Sequence, residues 1–234
     1  MTLPLIPGAD PFYVDAKSGI VLYCADCREL LEKIPAGMVD SVVADPPYGI
    51  GWDGIQAKGD LIYRGTRKQA RRFGDEARVI NDDVPFDPLP LTSRFPCCFT
   101  GAQYFYDRLP AGGSIHCWNK KGEYKPMDQG DADMVWSSKR QASRVFDLVW
   151  RGLCRHTEQS EKFVHPTQKP VLLMKWMMTL VDHSPCILDP FAGSGTTLVA
   201  AKLEGRRAIG IEISEAYCEI AKRRLLQEVF PFPE

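Results

Sequence analysis

Two consecutive prolines at the end of an apolar segment constrain the fold of this chain most. Residues 39–44, Val-Asp-Ser-Val-Val-Ala, have the pattern of a buried strand, and Asp45, Pro46, Pro47 and Tyr48 follow it directly. Proline cannot donate a hydrogen bond to a sheet or continue a helix, so the chain must turn here. The carboxyl end of such a strand is where open α/β sheets bind ligands. The turn thus predicts a site where a carboxylate, free carbonyl groups and an aromatic ring hold a flat heterocycle by its exocyclic amine.

A second ligand-binding segment is predicted at residues 189–197, Asp-Pro-Phe-Ala-Gly-Ser-Gly-Thr-Thr. It lies between a predicted strand and a predicted helix; its glycines let the backbone approach a ligand, and the helix N-terminus favours an anionic group. Glu212 ends the next predicted strand, 17 to 19 residues after those glycines, where an acidic residue typically binds ribose hydroxyls. Leu198 replaces the third glycine of a nicotinamide-binding fingerprint, and no Gly-Lys-Ser/Thr sequence occurs. A ligand without a pyrophosphate is therefore favoured.

Predicted strands and helices alternate along much of the chain. The strands are expected at 20–24, 39–45, 114–118, 186–189 and 208–212, and the helices at 28–34, 167–181, 197–204 and 214–229. Thr167 is expected to cap the second helix, with Pro170 tolerated in its first turn. Residues 119–163 are expected to add one or two strands and much loop. The alternation predicts one α/β domain over residues 1–234, with a mostly parallel mixed sheet and helices on both faces.

The order of the strands can be predicted further. A nucleoside-binding sheet needs a further strand beside the one at 208–212. One predicted helix and no strand follows Glu212, so the C-terminal segment does not provide that strand. Residues 20–24 can provide it if they pair with 208–212, and Asp26 would then lie at the end of that strand. Asp26 is equally well placed to cap the helix at 28–34, and both roles can hold.

Composition describes an ordinary globular chain, with 44% hydrophobic and 25% charged residues and a net charge of −1. No apolar run approaches the roughly 20 residues that span a bilayer, and no signal peptide is recognisable, so a cytoplasmic protein without membrane contact is expected. The eight cysteines include one CxxC pair, whereas structural zinc normally needs two, so packing thiols and no metal site are expected.

A basic stretch follows the Asp-Pro-Pro-Tyr turn. Residues 58–78 hold seven basic side chains against three acidic ones. This stretch is either a patch that contacts nucleic-acid phosphates or a solvated loop. If it binds DNA, it should be mobile alone and become ordered on the duplex. Its candidate DNA contacts are Arg64, Arg67, Lys68, Arg71 and Arg72.

Three motifs together resemble the S-adenosylmethionine-dependent amino-methyltransferases of DNA. They are Asp-Pro-Pro-Tyr at 45–48, His-Pro-Thr-Gln-Lys-Pro at 165–170 and Asp-Pro-Phe-Ala-Gly-Ser-Gly-Thr-Thr at 189–197. Their order resembles the circularly permuted group, and the compact length and segment 131–136 look like phage and prophage forms. The resemblance implies a Rossmann-like methyltransferase fold, S-adenosyl-L-methionine as cofactor and double-stranded DNA as partner. It leaves open a homodimer and a partner restriction enzyme.

The resemblance also implies a set of cofactor contacts. Glu212 would bind the ribose, Thr167 and Lys169 would hold the cofactor carboxylate, and Asp26 would lie near the adenine amine. The remaining implied contacts are Asp45, Asp189, Phe191, Gly193, Ser194, Gly195 and Thr196.

The implied catalytic residues are Asp45, Pro46, Pro47 and Tyr48. The target base would leave the duplex, because its amine is unreachable while paired. The Asp45 carboxylate and the Pro46 carbonyl would accept the two amine hydrogens while Tyr48 stacks on the base. The amine nitrogen would then attack the sulfonium methyl in line, with positioning and charge complementarity supplying most of the acceleration.

The sequence is compatible with more than one methyl acceptor. Adenine N6 is favoured, because family members with Ser in place of Asp45 tend towards cytosine, but cytosine N4 is the main alternative. Pro96-Cys97 resembles the nucleophile of cytosine carbon-5 enzymes, yet no Glu-Asn-Val partner occurs. An inactive DNA-binding regulator is a further alternative. Residues 53–80 and 119–163 are candidate insertions for DNA recognition.

Overall fold

A computed structural model of the protein describes residues 2–51, 80–122, 130–151, 154–155, 168–181 and 184–227. Thr167 lies outside the described residues, and so does most of the candidate insertion at 53–80, including its basic side chains Arg64, Arg67, Lys68, Arg71 and Arg72. The predicted ordering of that loop on DNA therefore stays a prediction.

One mixed sheet dominates the described structure. Its strands are β1 (Tyr13–Asp15), β2 (Ile20–Cys24), β3 (Ser41–Ala44), β4 (Cys97–Thr100), β5 (Ser114–Asn119), β6 (Ala132–Ser137), β7 (Val145–Asp147), β10 (Cys186–Asp189) and β11 (Arg207–Glu212), while β8 (Trp150–Arg151) and β9 (Cys154–Arg155) pair separately. The order in the sheet is β1-β2-β11-β10-β3-β4-β6-β5-β7. Antiparallel pairing in this sheet is confined to β1 with β2 and to β6 with its two neighbours, so the predicted mostly parallel mixed sheet is confirmed.

The pairing predicted between the N-terminal and C-terminal strands is also confirmed. β2 and β11 run parallel, with Ile20 opposite Ala208 and Cys24 opposite Glu212. Ala25 N then donates to Glu212 O at 2.9 Å, which keeps the two chain segments together just beyond the sheet. The carboxyl ends of β2, β11, β10 and β3 consequently meet at one edge of the sheet, where the predicted site residues lie.

Helices cover both faces of the sheet. They are α1 (Cys27–Leu31), α2 (Leu89–Thr92), α3 (Val171–Thr179), α4 (Thr196–Leu203) and α5 (Glu215–Leu226). Alternate side chains of β2 belong to different hydrophobic clusters: Ile20 and Leu22 pack with α3, α4 and α5, whereas Val21 and Tyr23 pack with α1 and α2. Period-two alternation of this kind is what a strand buried on both faces requires.

Two sequence expectations about these elements were wrong. The helix expected from residue 167 begins at Val171, as α3, after an extended Pro170 with ψ 143°. Lys169 precedes a proline and is therefore disfavoured in the helical region, which prevents an earlier start. Residues 119–163 contain four complete strands among their described residues, β6 to β9, where one or two were expected.

The caps predicted at Asp26 and Ser214 are confirmed, since Asp26 accepts from Arg28 N and Ser214 from Tyr217 N. The seven described cysteines are free thiols, and four of them, including Cys97 and Cys98, are buried, as packing residues should be. No described group of His, Cys, Asp and Glu side chains could hold a metal ion. None of the described helices is long and apolar enough to cross a membrane.

Tyr23→Phe should destabilise the protein, because the Tyr23 hydroxyl accepts a hydrogen bond from Ile6 N at 2.8 Å. Both residues are buried, so the variant leaves an amide without a partner in the core. We expect a loss of about 1–3 kcal/mol in the free energy of unfolding, measured by urea titration. Tyr106→Phe, at a side chain that is 72% exposed, is the matched control. Equal stability of the two variants would contradict the prediction.

Candidate functional site

A cavity of about 320 Å³ opens at the carboxyl edge of the sheet. The predicted site residues that line it are Asp26, Asp45, Pro46, Pro47, Tyr48, Lys169, Asp189, Phe191, Gly193, Ser194, Thr196 and Glu212. Three motifs far apart in the sequence therefore contribute to one cavity. We call the part around Glu212 and residues 189–197 the glycine-loop half, and the part beyond Asp45 the acceptor half.

Asp45, Lys169 and Tyr48 form a closed hydrogen-bonded group between the two halves. Lys169 Nζ donates to Asp45 Oδ2 at 2.6 Å and to the Tyr48 hydroxyl at 3.1 Å, and that hydroxyl donates to Asp45 Oδ1 at 2.6 Å. Burial, and then the charge of Asp45, raise the pKa of Tyr48, so the phenol remains a donor. Both carboxylate oxygens are thus fixed by donors, and each keeps a further lone pair for a ligand.

The Tyr48 ring is held as firmly as its hydroxyl. Tyr104 stacks on it with ring centroids 4.8 Å apart and an interplanar angle of 20°. Gly101, with φ 73°, follows β4 so close to the ring that an added Cβ would lie 2.0 Å from Tyr48 Cε1. One face of Tyr48 is therefore covered by Tyr104 within the protein. Neither contact was predicted from the sequence.

The chain after Tyr48 is anchored by Asp82. Gly49 N donates to the Asp82 carboxylate at 2.8 Å, and Gly51 N donates to the Asp82 carbonyl at 2.7 Å. Asp82 is 4% exposed and lines the cavity.

Backbone amides hold the two carboxylates of the glycine-loop half. Glu212 accepts from Gly193 N at 2.7 Å and from Ser214 N at 2.8 Å, while Asp189 accepts from Phe191 N at 3.0 Å. Burial raises the pKa of Glu212 and raises that of Asp189 to about 7. Within the described structure neither carboxylate forms an ion pair, in contrast to Asp45. This half therefore suits a ligand with a positive charge.

The glycine loop itself rests on helix α5. Buried Arg224 donates to the Ser194 carbonyl and to the Thr196 hydroxyl, both at 2.9 Å. Gly195 has φ 78°, and an added Cβ there would lie 2.8 Å from Ala221 Cβ. Gly195 does not line the cavity, so its predicted ligand contact is replaced by close packing of α5. Arg224 was missed because one arginine near the end of a helix has no distinctive sequence signal.

Polar side chains that the sequence analysis missed line the acceptor half. Lys120 Nζ and Gln103 Nε2 both donate to Asp133 Oδ1, at 2.9 and 3.0 Å. Lys120 and Asp133 line the cavity together with Gln168. Lys120 and Asp133 lie in the region 119–163, which the sequence analysis gave only as a candidate insertion for DNA recognition. Their pairing depends on β5 and β6 being neighbours in the sheet.

Asp189→Asn should remove a pH dependence of stability. The folded carboxyl, with a pKa of about 7 against an ordinary 3.8, binds its proton more tightly than the unfolded one. Stability is therefore lost as the pH rises from about 4 to 7, by on the order of 4 kcal/mol. We expect the wild type to lose stability relative to Asp189→Asn across this range in urea titrations, whereas exposed Asp10→Asn should follow the wild type. Parallel curves for wild type and Asp189→Asn would refute the assignment.

Comparison with known proteins gives a consistent result. A family model described as a DNA methylase, N6_N4_Mtase, matches residues 99–223. Type II methyltransferase M2.DpnII of Streptococcus pneumoniae is 39% identical over 93% of each chain. DNA adenine methyltransferase YhdJ of Escherichia coli (strain K12) is 29% identical over 93% of this chain and 86% of the relative.

The solved structure of an M1.HpyAVI–SAM complex has the same fold, with a TM-score of 0.51, 22% identity and coverage of 89% of this chain and 100% of the other. The predicted Rossmann-like methyltransferase fold is confirmed. The family model matches more than half of the chain, and M2.DpnII is 39% identical over 93% of each chain. The chain therefore belongs to the N6/N4 DNA methylase family.

Proposed function

We propose that the protein transfers a methyl group from S-adenosyl-L-methionine to the exocyclic N6 amine of adenine in double-stranded DNA. The observation that carries the proposal is one cavity in which the glycine-loop half adjoins the group formed by Asp45, Lys169 and Tyr48. A ligand in the first half would reach the same space as a base whose amine is held by Asp45.

The residues of the glycine-loop half fit this cofactor. The bound cofactor supplies an electrophilic methyl group on a positively charged sulfur. Asp189 and Glu212 have no ion-pair partner in the described structure, and burial raises the pKa of each. A cationic ligand would stabilise their ionised forms, whereas a phosphate would not. Glu212 would accept from the ribose, and Phe191 and Gly193 would contact the methionine end. The structurally similar M1.HpyAVI was solved in complex with the same cofactor, SAM.

The other cofactor contacts suggested by the resemblance are weaker proposals. Asp26 lines the cavity but also binds Arg28 and caps α1. Ser194 and Thr196 line it while their oxygens contact Arg224. Thr167 stays a prediction, and the ammonium of Lys169, predicted to hold the cofactor carboxylate, contacts Asp45.

The acceptor chemistry follows from the fixed carboxylate. Asp45 and the Pro46 carbonyl accept the two amine hydrogens and thereby localise the nitrogen lone pair that an aromatic ring would otherwise delocalise. The base would stack on Tyr48. Because Lys169 and Tyr48 already hold Asp45, little reorganisation is needed when the amine arrives, and this is the main source of electrostatic and positional catalysis.

Adenine is the acceptor that we favour. The acidic residue at position 45 and the name of the relative YhdJ support it, while the family includes N4 chemistry as well, so cytosine is the alternative. Digestion of enzyme-treated DNA to nucleosides, followed by mass spectrometry, separates N6-methyl-2′-deoxyadenosine from N4-methyl-2′-deoxycytidine. Detection of the deoxycytidine product alone would overturn the choice.

The circular permutation of the chain and its DNA-recognition regions are also proposals. Parallel pairing of N-terminal β2 with C-terminal β11 supports a circularly permuted form. Residues 53–80 and 119–163 are proposed for DNA recognition, with Arg64, Arg67, Lys68, Arg71 and Arg72 as phosphate contacts. A phage-like origin, a cytoplasmic location, a homodimer and a partner restriction enzyme stay predictions.

Asp45→Ala should abolish methyl transfer, by at least ~100-fold, because the amine loses its charged acceptor. Cofactor affinity, measured by calorimetry, should stay within several-fold of the wild type. Asp10→Ala, which removes an exposed carboxylate outside the cavity, should leave both quantities unchanged. Retained turnover in Asp45→Ala would refute the catalytic assignment.

Glu212→Ala should weaken cofactor binding by ~1–3 kcal/mol, because the ribose hydroxyls lose a charged acceptor. Glu212→Gln should lose less, since it keeps one acceptor for the amides of Gly193 and Ser214. Glu215→Ala, at an exposed carboxylate on the first turn of α5, is the matched control. DNA affinity should change little in all three variants. A cofactor dissociation constant unaltered in Glu212→Ala would place Glu212 outside the binding site.

A further inference from the structure

Lys120 and Asp133 form an ion pair in the wall of the acceptor half. Lys120 follows β5, Asp133 lies on β6, and both residues line the cavity. Lys120 Nζ lies 2.9 Å from Asp133 Oδ1, and the two side chains are 19% and 12% exposed. The backbone of Lys120 is used within the fold, because its amide donates to the Asp131 carbonyl and its carbonyl accepts from Trp150 N. The side chain is therefore the part of Lys120 that a ligand in the cavity can contact.

Side-chain contacts place this ion pair beside the Tyr48 ring. Gln103 Nε2 donates to Asp133 Oδ1 at 3.0 Å, and Gln103 Oε1 accepts from the next amide of β6 at 2.9 Å. The residue after Gln103 is Tyr104, which stacks on Tyr48 and lines the cavity. Burial, then the charge of Asp45 and then that of Asp133 raise the pKa of Tyr48. The ion pair therefore borders the same space as the carboxylate of Asp45.

The ammonium of Lys120 has hydrogen-bonding capacity left for a ligand. A lysine ammonium has three donors. Lys120 Nζ gives one of them to Asp133 and lies 5.7 Å from the centre of the Trp118 ring, and it makes no other hydrogen bond within the described structure. Lys169, by contrast, makes two such bonds to neighbouring side chains. Of these two lysines in the cavity wall, Lys120 is thus the one with more donors available.

We infer that the Lys120 ammonium donates a hydrogen bond to a ring nitrogen of the target base, and that Asp133 positions Lys120 for this contact. The inference rests on the proposed function and adds a residue that selects the base. Asp45 and Pro46 take the amine hydrogens in that function. The remaining polar atoms of adenine are ring nitrogens that accept hydrogen bonds, so the wall opposite needs a donor rather than another carboxylate.

A neutral base suits this ion pair better than a phosphate group. Asp133 lies 2.9 Å from the ammonium, so an anion that approached Lys120 would also approach a carboxylate. A neutral base meets two charges that compensate each other. The carboxylate also restricts the orientation of the ammonium, which a hydrogen bond to one particular ring atom requires.

The test combines Lys120→Met with base analogues. Methionine has a similar length and neither a charge nor a donor. A duplex with a site methylated by the wild type is made with adenine, 1-deazaadenine, 3-deazaadenine or 7-deazaadenine at the target. We expect Lys120→Met to lower kcat/KM on adenine by about 10- to 100-fold, the range for one hydrogen bond from a charged donor. One analogue should lower the wild-type value by a similar factor and the Lys120→Met value by less than about three-fold, because both changes remove the same hydrogen bond.

Lys121→Met is the matched control. Lys121 Nζ pairs with Asp131 Oδ2 at 3.6 Å, and Lys121 does not line the cavity. This variant should therefore keep wild-type kinetics on every substrate. In Lys120→Met, the dissociation constant for S-adenosyl-L-methionine should stay within about two-fold of the wild type, because the altered side chain lies away from the glycine-loop half.

Asp133→Asn tests the positioning role and protects the comparison against misfolding. Asparagine can still accept from Lys120 but holds the ammonium without a charge, so the effect of the identified analogue should be smaller in Asp133→Asn than in the wild type. An undiminished analogue effect would overturn the positioning role. Lys120→Met leaves Asp133 as an unpaired charge, so the double variant, whose wall is neutral, is measured beside it. The double variant should lose no more activity on adenine than Lys120→Met.

Two results would overturn the contact between Lys120 and the base. The first is wild-type kinetics in Lys120→Met, or three analogue effects that are the same in the variant and the wild type. The second is weaker DNA binding with every target base together with a flatter salt dependence of the affinity, which would identify a phosphate contact instead.

The same series distinguishes failure of this inference from failure of the proposed function. A wild-type protein that methylates no DNA would overturn both. A wild-type enzyme that produces N4-methylcytosine would correct the acceptor, and 3-deazacytosine would then replace the purine analogues in the same comparison. An active wild-type enzyme with an unaffected Lys120→Met variant would overturn only the role of Lys120.

Discussion

The ion pair between Lys169 and Asp45 is the interaction on which the site depends. It joins residues 124 positions apart in the sequence at 2.6 Å. The Lys169 side chain is 11% exposed and that of Asp45 20%. When one member of such a pair is removed, the other is left as an uncompensated buried charge, which commonly costs more than the pair contributes. The Asp-Pro-Pro-Tyr turn and the chain that leads into α3 are therefore bound to each other as one unit.

The two halves of the cavity use different means to hold negative charge. In the acceptor half, Asp45 and Asp133 are paired with Lys169 and Lys120. In the glycine-loop half, Asp189 and Glu212 are held by backbone amides and have raised pKa values. A neutral base can approach the compensated half without strong electrostatic forces, while a sulfonium compound gains from the uncompensated one. This division of charge is consistent with the proposed arrangement, in which the cofactor occupies the glycine-loop half and the base the acceptor half.

The sequence predicted local features far better than tertiary partners. The strands ending at Asp45, Asp189 and Glu212 were predictable because each is a short apolar run followed by a breaking segment. The pairing of β2 with β11 was predictable because few strands were available. Tyr104 and Arg224 were not, since a tyrosine in a 3-10 turn and an arginine in a helix carry no signal of what they contact. The start of α3 was misplaced because a cap at Thr167 was given more weight than the restriction that Pro170 imposes on Lys169.

Which contacts could be predicted from the sequence follows from how the site is built. Motif residues such as Asp45 and Gly193 line the cavity through groups that the turn itself presents, so the chemistry proposed for them can be inferred from a few consecutive letters. Gln168 belongs to a motif too, but its environment is set by Trp150 and Lys120, which come from another part of the chain. Its unpaired amide became visible only when burial and hydrogen bonding were known together. The surroundings of Gln168 therefore depend on residues from another part of the chain, whereas those of Asp45 are set within its own motif and by Lys169.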